Sequence, residues 1–366
     1  MKFLFYTHSL VSDWNHGNAH FLRGVMRALI RAGHDARALE PADGWSRQQL
    51  LADRGPAAEV DFLAAFPDLR SDVYEADHDH EAELAGADVV VVHEWTDPAL
   101  VAHIGRARSG GGRFALLFHD THHRAVSAEG KIAGMDLSGY DGVLAFGAAL
   151  RERYLAAGWG RQVHVWHEAA DDSLFRPLDR PTDRDLVWIG NWGDGERSAE
   201  LTEFLVEPVR RLGLSARIHG VRYPDEALER LRDAGIDFRG SIANAAVPEA
   251  FARARLTVHV PRRPYVESLP GIPTIRVFEA LACGIPLVSA PWSDAEGLFR
   301  PGDYLTARDG DEMETQLRLL LEDEGLRAET ARRGLETIRA RHTCRHRADE
   351  LLGIVARLGT YGEAAE

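Results

Sequence analysis

Cysteine is scarce: Cys283 and Cys344 are the only two in 366 residues. They form neither a disulfide framework nor a Cys-x-x-Cys pair, so a cytoplasmic setting fits best. Long apolar runs are missing as well. Stretches such as Ala87–Val92 and Phe114–Phe118 fall far short of the ~18–20 residues that span a bilayer. The opening "MKFLFYTHSL" has a single Lys, and His8 and Asp13 follow soon after. It reads as a first strand and not as a signal peptide. Positive charge is in deficit: 43 Lys and Arg stand against 57 Asp and Glu, for a net charge of −14. Duplex nucleic acid and anionic membranes need a basic face, so neither is expected as the main partner. A local basic pocket for a phosphate remains compatible with this balance. No short-period repeat and no low-complexity segment occurs.

What the chain does contain is a folded composition, 45% hydrophobic and 27% charged, over a length that implies two domains. Alternation of strand and helix patterns begins at once. "KFLFY" is a buried strand. "AHFLRGVMRALIRAGHD" follows with Phe21, Leu22, Val25, Met26, Leu29 and Ile30 at helical spacing and Gly33 as its stop. "ADVVVVHEW" and "RFALLFHDTHH" are continuous apolar runs with polar ends, as in strands buried on both faces of a parallel sheet. Around "DDSLFRPLDRPTDRD" the chain turns polar and proline-containing. The domain boundary is placed there, giving an N-terminal domain over 1–174 and a C-terminal domain over 175–366. After it the alternation resumes with "DLVWIG", "SARIHG", "IDFRG" and "LTVHV" as strands. The fold class expected is α/β, two doubly wound Rossmann-like domains whose carboxyl-end loops face each other across a cleft. A helical tail over Asp309–Leu358 ends the chain. Its last helix, starting after a Thr343 cap, is expected to cross back to the first domain.

The segment "GIPTIRVFEALACGIPLVSAP" contains a short helix with a carboxylate in its middle. Pro273 is placed near the first helical position, and Gly284 and Pro286 end the helix. Ile275, Phe278, Leu281 and Ala282 share the core face. Arg276 and Glu279 share another. Helical side chains lean toward the helix start, where free N–H groups and the dipole favour an anion. One arrangement explains the acid: a diphosphate on the N–H groups of Ile272–Thr274 and the Glu279 carboxylate on the attached ribose diol. Spacing alone leaves a second reading open, an exposed Arg276–Glu279 ion pair.

"FEALACGIPLVSAP" resembles the nucleotide-binding signature of GT-B-fold glycosyltransferases (glycosyl transferases group 1), in which an E-A-x-A-x-G-x-P run follows a Gly-containing loop. The resemblance extends over nearly the whole chain. "GNAHFLRGVMRALIRAGHD" looks like their first loop and helix, "FHDTHH" like their His-bearing strand end, and "WIGNWGDGER" like the first strand and phosphate loop of the donor domain. "VHVPRRPYVESLPGIPTIRVFEALACG" and "RHTCRHRADELL" are similar to the CgeB (spore maturation protein) branch.

That resemblance implies a glycosyltransferase that uses a nucleotide-diphosphate sugar, with UDP favoured, needs no bound metal and retains configuration. Glu279 matches the ribose-binding acid, and Ile272, Pro273 and Thr274 match the helix start that faces the diphosphate. Arg197, after the loop that begins at Asn191, sits where a basic residue neutralises the leaving diphosphate; its alternative is a surface arginine. Ile242 matches the backbone position that reads the base. Tyr265, with Arg262 and Arg263, could line the donor pocket, and at most one of the two arginines should reach the ligand. Gly17 matches the close-approach glycine of the first loop. His119 matches the histidine that faces the donor sugar, with Asp120 able to orient it. His119, His122 and His123 were also weighed as metal ligands, but no other Cys/His cluster supports that. "DRD" and "DGD" read as solvated loops. The sequence departs from the retaining pattern at Gly271, where many relatives carry a second Glu, and this leaves the stereochemical outcome open. Two other readings fit the same fold: a sugar-nucleotide 2-epimerase, and a non-catalytic coat or sugar-binding protein.

Overall fold

Strand β4 is Val89–His93, and all five of its residues are buried. A strand apolar on both faces needs cover on both, which only a parallel sheet layered between helices supplies. The computed structural model, which describes residues 1–363, has two such sheets. The chain divides into two compact units, Met1–Glu168 with the C-terminal segment from Cys344, and Ala169–Thr343.

The first unit holds β1 (Lys2–Tyr6), β2 (Asp35–Pro41), β3 (Ser71–Tyr74), β4, β5 (Ala115–Asp120), β6 (Gly142–Ala145) and β7 (Val163–Val165). Their spatial order is β3-β2-β1-β4-β5-β6-β7, and every pairing is parallel. The order reverses between β1 and β4, and loops at such a reversal leave a crevice at the carboxyl edge. Register sets His93 directly beside His119 there. The helix Asn18–Arg31 buries Phe21, Leu22, Val25, Met26 and Leu29, the stripe read from the sequence. It stops where Gly33 takes φ +86°, a conformation that costs glycine nothing. The loop before it is pinned by Arg23, which is buried and donates to the Leu10 and Val11 carbonyls and to Asp13.

The last helix, Cys344–Glu363, belongs to this first unit. The Cys344 thiol approaches the Phe21 carbonyl at 3.8 Å, and the Trp166 indole N–H donates to the Arg347 carbonyl at 2.9 Å. The crossing back was expected. The domain limits are corrected: the division falls at Glu168/Ala169 instead of 174/175, and the tail beyond Thr343 leaves the second unit.

The second unit holds β8 (Arg184–Ile189), β9 (Ala216–His219), β10 (Asp237–Phe238), β11 (Ala254–His259), β12 (Leu287–Ser289) and β13 (Leu305–Thr306). Their order is β10-β9-β8-β11-β12-β13, again all parallel. One apolar layer collects Leu186, Trp188, Ile218, Leu256 and Val258 on one face. The other collects Val187, Ile189, Val277, Phe278 and Leu281. This odd–even split along β8 is the period-2 pattern of a strand covered on both sides. The helix after β8 is not uniform. Ser198–Leu201 passes through a π turn at Thr202–Val206 into Glu207–Leu212. Pro208, lacking an N–H and crowding the preceding turn, is the local reason.

Candidate functional site

The polar centre of the second unit lies at the carboxyl ends of β8 and β11. After β8 the chain runs through Gly193, Asp194 and Gly195 with φ of +95°, +53° and +85°. This left-handed turn brings Arg197 back beneath it. A Cβ on Gly193 would stand 2.7 Å from Arg197 Cγ, and one on Gly190 would meet the Trp188 ring at 2.8 Å and Arg197 Nη2 at 3.3 Å. Gly193 thus makes room for the arginine, and Gly190 chiefly for the Trp188 ring that the arginine lies against.

Arg197 is 8% exposed. It donates from Nη1 to the Val260 carbonyl at 2.8 Å, and from Nη2 to the Asn191 carbonyl at 2.7 Å and to Asn191 Oδ1 at 3.0 Å. Its guanidinium lies 5.2 Å from the Trp188 ring centroid. Among the described residues no carboxylate is within ion-pair distance of it, and its Nε has no hydrogen-bond partner. Burial, and next the neighbouring Arg262, push its pKa down to about 9. It remains charged at neutral pH. A buried cation that meets only neutral oxygens is a site built for an anion. This decides against the surface-arginine alternative.

Arg262 enters the same cluster. It pairs with Glu196 at 2.5 Å and donates to Asn191 Oδ1 at 3.0 Å. Arg263 points away, to Glu200 and the Gly195 carbonyl. Only one of the two adjacent arginines joins the cluster: Arg262 is the extended cap residue, and Arg263 opens the short helix that follows. Tyr265 lies in the short helix Arg263–Glu267, half-buried, where it acts electrostatically on Arg197.

The helix Ile275–Ala282 carries Glu279, 1% exposed. Its carboxylate takes the Arg276 guanidinium on one oxygen and the Asn244 amide N–H on the other, the latter at 3.2 Å. The ion pair read from spacing exists, but its acid is buried and not on the surface. Asn244 belongs to the turn that holds half-buried Ile242, so the nominated base-reading loop and the nominated ribose acid are tied by one amide. The helix start is corrected. Helical geometry begins at Ile275, with Thr274 as the cap residue and no side-chain cap bond. Pro273 precedes the cap and has no N–H to offer; the open donors are those of the first turn, from Ile275.

Gly271 shows why the sequence departs from the retaining pattern. Its φ is +89°, and an added Cβ would lie 2.8 Å from Glu296 Cγ and 3.1 Å from Glu296 Oε1. A side chain at 271 is excluded twice, by backbone conformation and by an acid already there.

In the first unit, His119 ends β5 with no measurable exposure. The rings of Trp166, His93 and Phe21 surround it at centroid distances of 4.8, 5.6 and 5.9 Å. Burial, and next His93, hold its pKa well below the usual value, so it is a neutral ring and a poor base. Asp120 does not orient it, because successive strand residues face opposite ways. Asp120 instead accepts from the Tyr154 hydroxyl at 2.7 Å and the His122 N–H at 3.0 Å. Burial, and next Glu94, raise its pKa to about 8. Glu94 is equally buried and is also raised to about 8, chiefly by burial. His93 Nε2 stands 2.8 Å from its carboxylate. Gly17 is exposed at the cap of the first helix with ordinary helical dihedrals, φ −64° and ψ −33°.

Asn244, His259, Glu94 and Glu296 have no functional signature in the sequence; His259 and Glu94 show there only as polar residues at the close of the apolar stretches "LTVHV" and "ADVVVVHEW". Among the described residues no group of three His, Cys, Asp or Glu is placed to hold a metal ion, and no helix is long and apolar enough to cross a membrane.

Residues 197–353 match a protein family described as glycosyl transferase-like. No curated protein matches the sequence. Solved structures resemble the chain over nearly its full length. Sucrose-phosphate synthase from Thermosynechococcus elongatus has a TM-score of 0.67 at 14% identity, covering 99% of this chain and 100% of that one. HepE of Anabaena, solved with UDP and glucose, has a TM-score of 0.68 at 15% identity, covering 98% and 100%. T4 phage BGT, solved with UDP and Mn2+, has a TM-score of 0.61 at 12% identity, covering 98% and 99%. The fold is GT-B, as the sequence resemblance implied, and the glycosyl transferase-like region covers most of the second unit and the start of the last helix.

Proposed function

We propose that the protein transfers a hexose from a nucleotide-diphosphate sugar, with UDP as the carrier, to an acceptor hydroxyl. The observation that carries this reading is Arg197, a buried guanidinium held by neutral oxygens beneath a left-handed glycine turn. The departing diphosphate is the anion it suits. The N–H groups that open the helix at Ile275 supply further fixed positive charge for the same group. Glu279, already oriented by Asn244 and Arg276, takes the ribose hydroxyls. Ile242 lies beside the base and Tyr265 beside the diphosphate. In the reaction the bond from the anomeric carbon to the diphosphate oxygen breaks, and a bond from that carbon to the acceptor oxygen forms. The acceptor's proton leaves with the diphosphate. The first unit takes the acceptor, with Gly17, His119 and Asp120 as its nominated residues.

Two finer points belong to the same proposal. The charge of the leaving group rests on Arg197 and the helix start, so turnover needs no divalent cation. The anomeric configuration is retained.

Thermal unfolding with UDP, GDP, TDP and ADP tests the nucleotide. At about a hundredfold its Kd a ligand adds ~2.7 kcal/mol of stability. UDP is expected to give the largest shift; no shift with any of the four overturns the reading. Incubation with UDP-hexoses in EDTA and in Mn2+ then tests the cation. NMR of the glycoside formed reads the anomer. An epimerised nucleotide sugar without any acceptor would put the epimerase in its place.

A further inference from the structure

Glycosyl transfer as set out above gives no task to Nε2 of His259, a buried and unpaired polar atom of the second unit. This residue closes β11 and stands in register with Ser289 of β12. Its Nδ1 lies 2.9 Å from Ser289 Oγ. The serine hydroxyl has one proton, and we assign it to the Ala290 carbonyl at 2.8 Å, an oxygen that can only accept. Ser289 Oγ is therefore the acceptor toward the ring, and the imidazole proton sits on Nδ1. A neutral imidazole has one N–H and one bare nitrogen. Nε2 is the bare one. Protonation does not rescue it, since burial, and next the positive Arg197, bring the ring pKa down to about 3.

Nε2 has neither solvent contact nor a hydrogen-bond partner among the described residues. Folds rarely leave a buried acceptor unpaired, and each one that is left has a structural reason or a missing partner. The position of this one is informative. The next residue, Val260, gives its carbonyl to Arg197 Nη1 at 2.8 Å. The lone pair thus stands one residue from the buried guanidinium, at the carboxyl end of a central strand. A phosphate oxygen cannot satisfy it, because both atoms are acceptors. A hydroxyl can.

We infer that His259 Nε2 accepts a hydrogen bond from a hydroxyl of the transferred hexose and so selects donors that carry that hydroxyl. This rests on the glycosyl-transfer reading, and it adds a specificity residue on the sugar side of the diphosphate. Ser289 acts through it as a positioning residue, by keeping the proton on Nδ1.

The test is calorimetric binding of UDP and of UDP-glucose to wild type, His259→Phe and Ser289→Ala, with nitrogen-15 NMR of the His259 ring. Wild type should show an unprotonated Nε2 in the ligand-free protein. His259→Phe should bind UDP as wild type does and UDP-glucose at least tenfold more weakly. Ser289→Ala frees the tautomer, should weaken UDP-glucose selectively, and carries the test where the phenylalanine variant does not fold. Equal losses for UDP and UDP-glucose, no loss for either, or a protonated Nε2 in wild type would each overturn the inference. Wild type that binds neither ligand overturns the glycosyl-transfer reading instead, while the NMR still decides the tautomer.

Discussion

Arg197 and Arg262 share one acceptor: each donates to Asn191 Oδ1, both at 3.0 Å. Two guanidinium groups held this close repel, and the repulsion is part of why the Arg197 pKa falls. The Glu196 carboxylate pairs directly with Arg262 and acts on Arg197 more weakly than burial and Arg262 do. The pair is left with an excess positive charge, and that charge is on the buried member. Asn191 thus holds two like charges together through one side-chain oxygen.

The Arg197→Met variant should lose the UDP-induced rise in melting temperature while keeping or improving stability without ligand. An uncompensated buried charge is costly to the empty fold. Charged hydrogen bonds contribute about 1.5–3 kcal/mol each, so UDP affinity should fall at least tenfold. Unfolding curves of both proteins with and without UDP decide it. A variant that binds UDP as wild type does sinks the assigned role.

Glu279→Ala should act on both stability and binding. It removes one hydrogen-bond acceptor from the Asn244 amide and one ion-pair partner from the Arg276 guanidinium, a loss on the order of 1–3 kcal/mol. Binding of UDP should weaken by more than the stability loss alone produces. Chemical denaturation with and without UDP separates the two effects.

Gly271→Ala should destabilise by about 1–2 kcal/mol, since a non-glycine residue is forced to left-handed dihedrals. Its methyl also meets Glu296. Combining it with Glu296→Ala should recover the steric part and leave the dihedral part, a coupling of at least 0.5 kcal/mol in a double-mutant cycle. Strict additivity would mean that the two residues do not compete for the same space.

Stability should fall as pH rises from about 4.5 to about 8, with Glu94 as one cause. Its folded pKa is raised to about 8, chiefly by burial. The folded state therefore holds a proton that the unfolded chain has released, and unfolding is favoured increasingly until pH passes that value. Asp120 contributes in the same sense. Glu94→Gln removes one of these protons, so its melting temperature should gain on wild type between pH 5.5 and 8.5. An unchanged difference across that range contradicts the burial argument.

The parallel strands were legible where apolar runs were continuous, as in "VVVV" and "FALLF", because burial on both faces leaves little sequence freedom. β3, Ser71–Tyr74, was not legible, since its residues are only half-buried and carry no alternation. The pairs Trp45–Arg54 and Ala57–Ala65 are helices that pack mostly outward and were passed over for the same reason. Glu279 and Arg197 stood out because a charge in an apolar or glycine-rich setting contradicts its surroundings. Asn244 and Glu296 did not, because each is brought to its partner by the fold across a sequence distance that spacing cannot reveal. Pro273 misled in a simple way. Proline favours the first helical position, but here the cap falls on the residue after it.

The first unit is discontinuous in sequence, and this has a consequence for synthesis. Residues 1–168 leave the ribosome first, yet Phe21 and Trp166 meet their closing partners only at Cys344 and Arg347. Domains made of contiguous chain commonly fold as they emerge, N-terminal first. Here the middle segment can finish before the beginning does. A nascent chain stopped at Thr343 holds a complete second unit and an unsealed first one. The last helix to be made is the one that completes the oldest part of the protein.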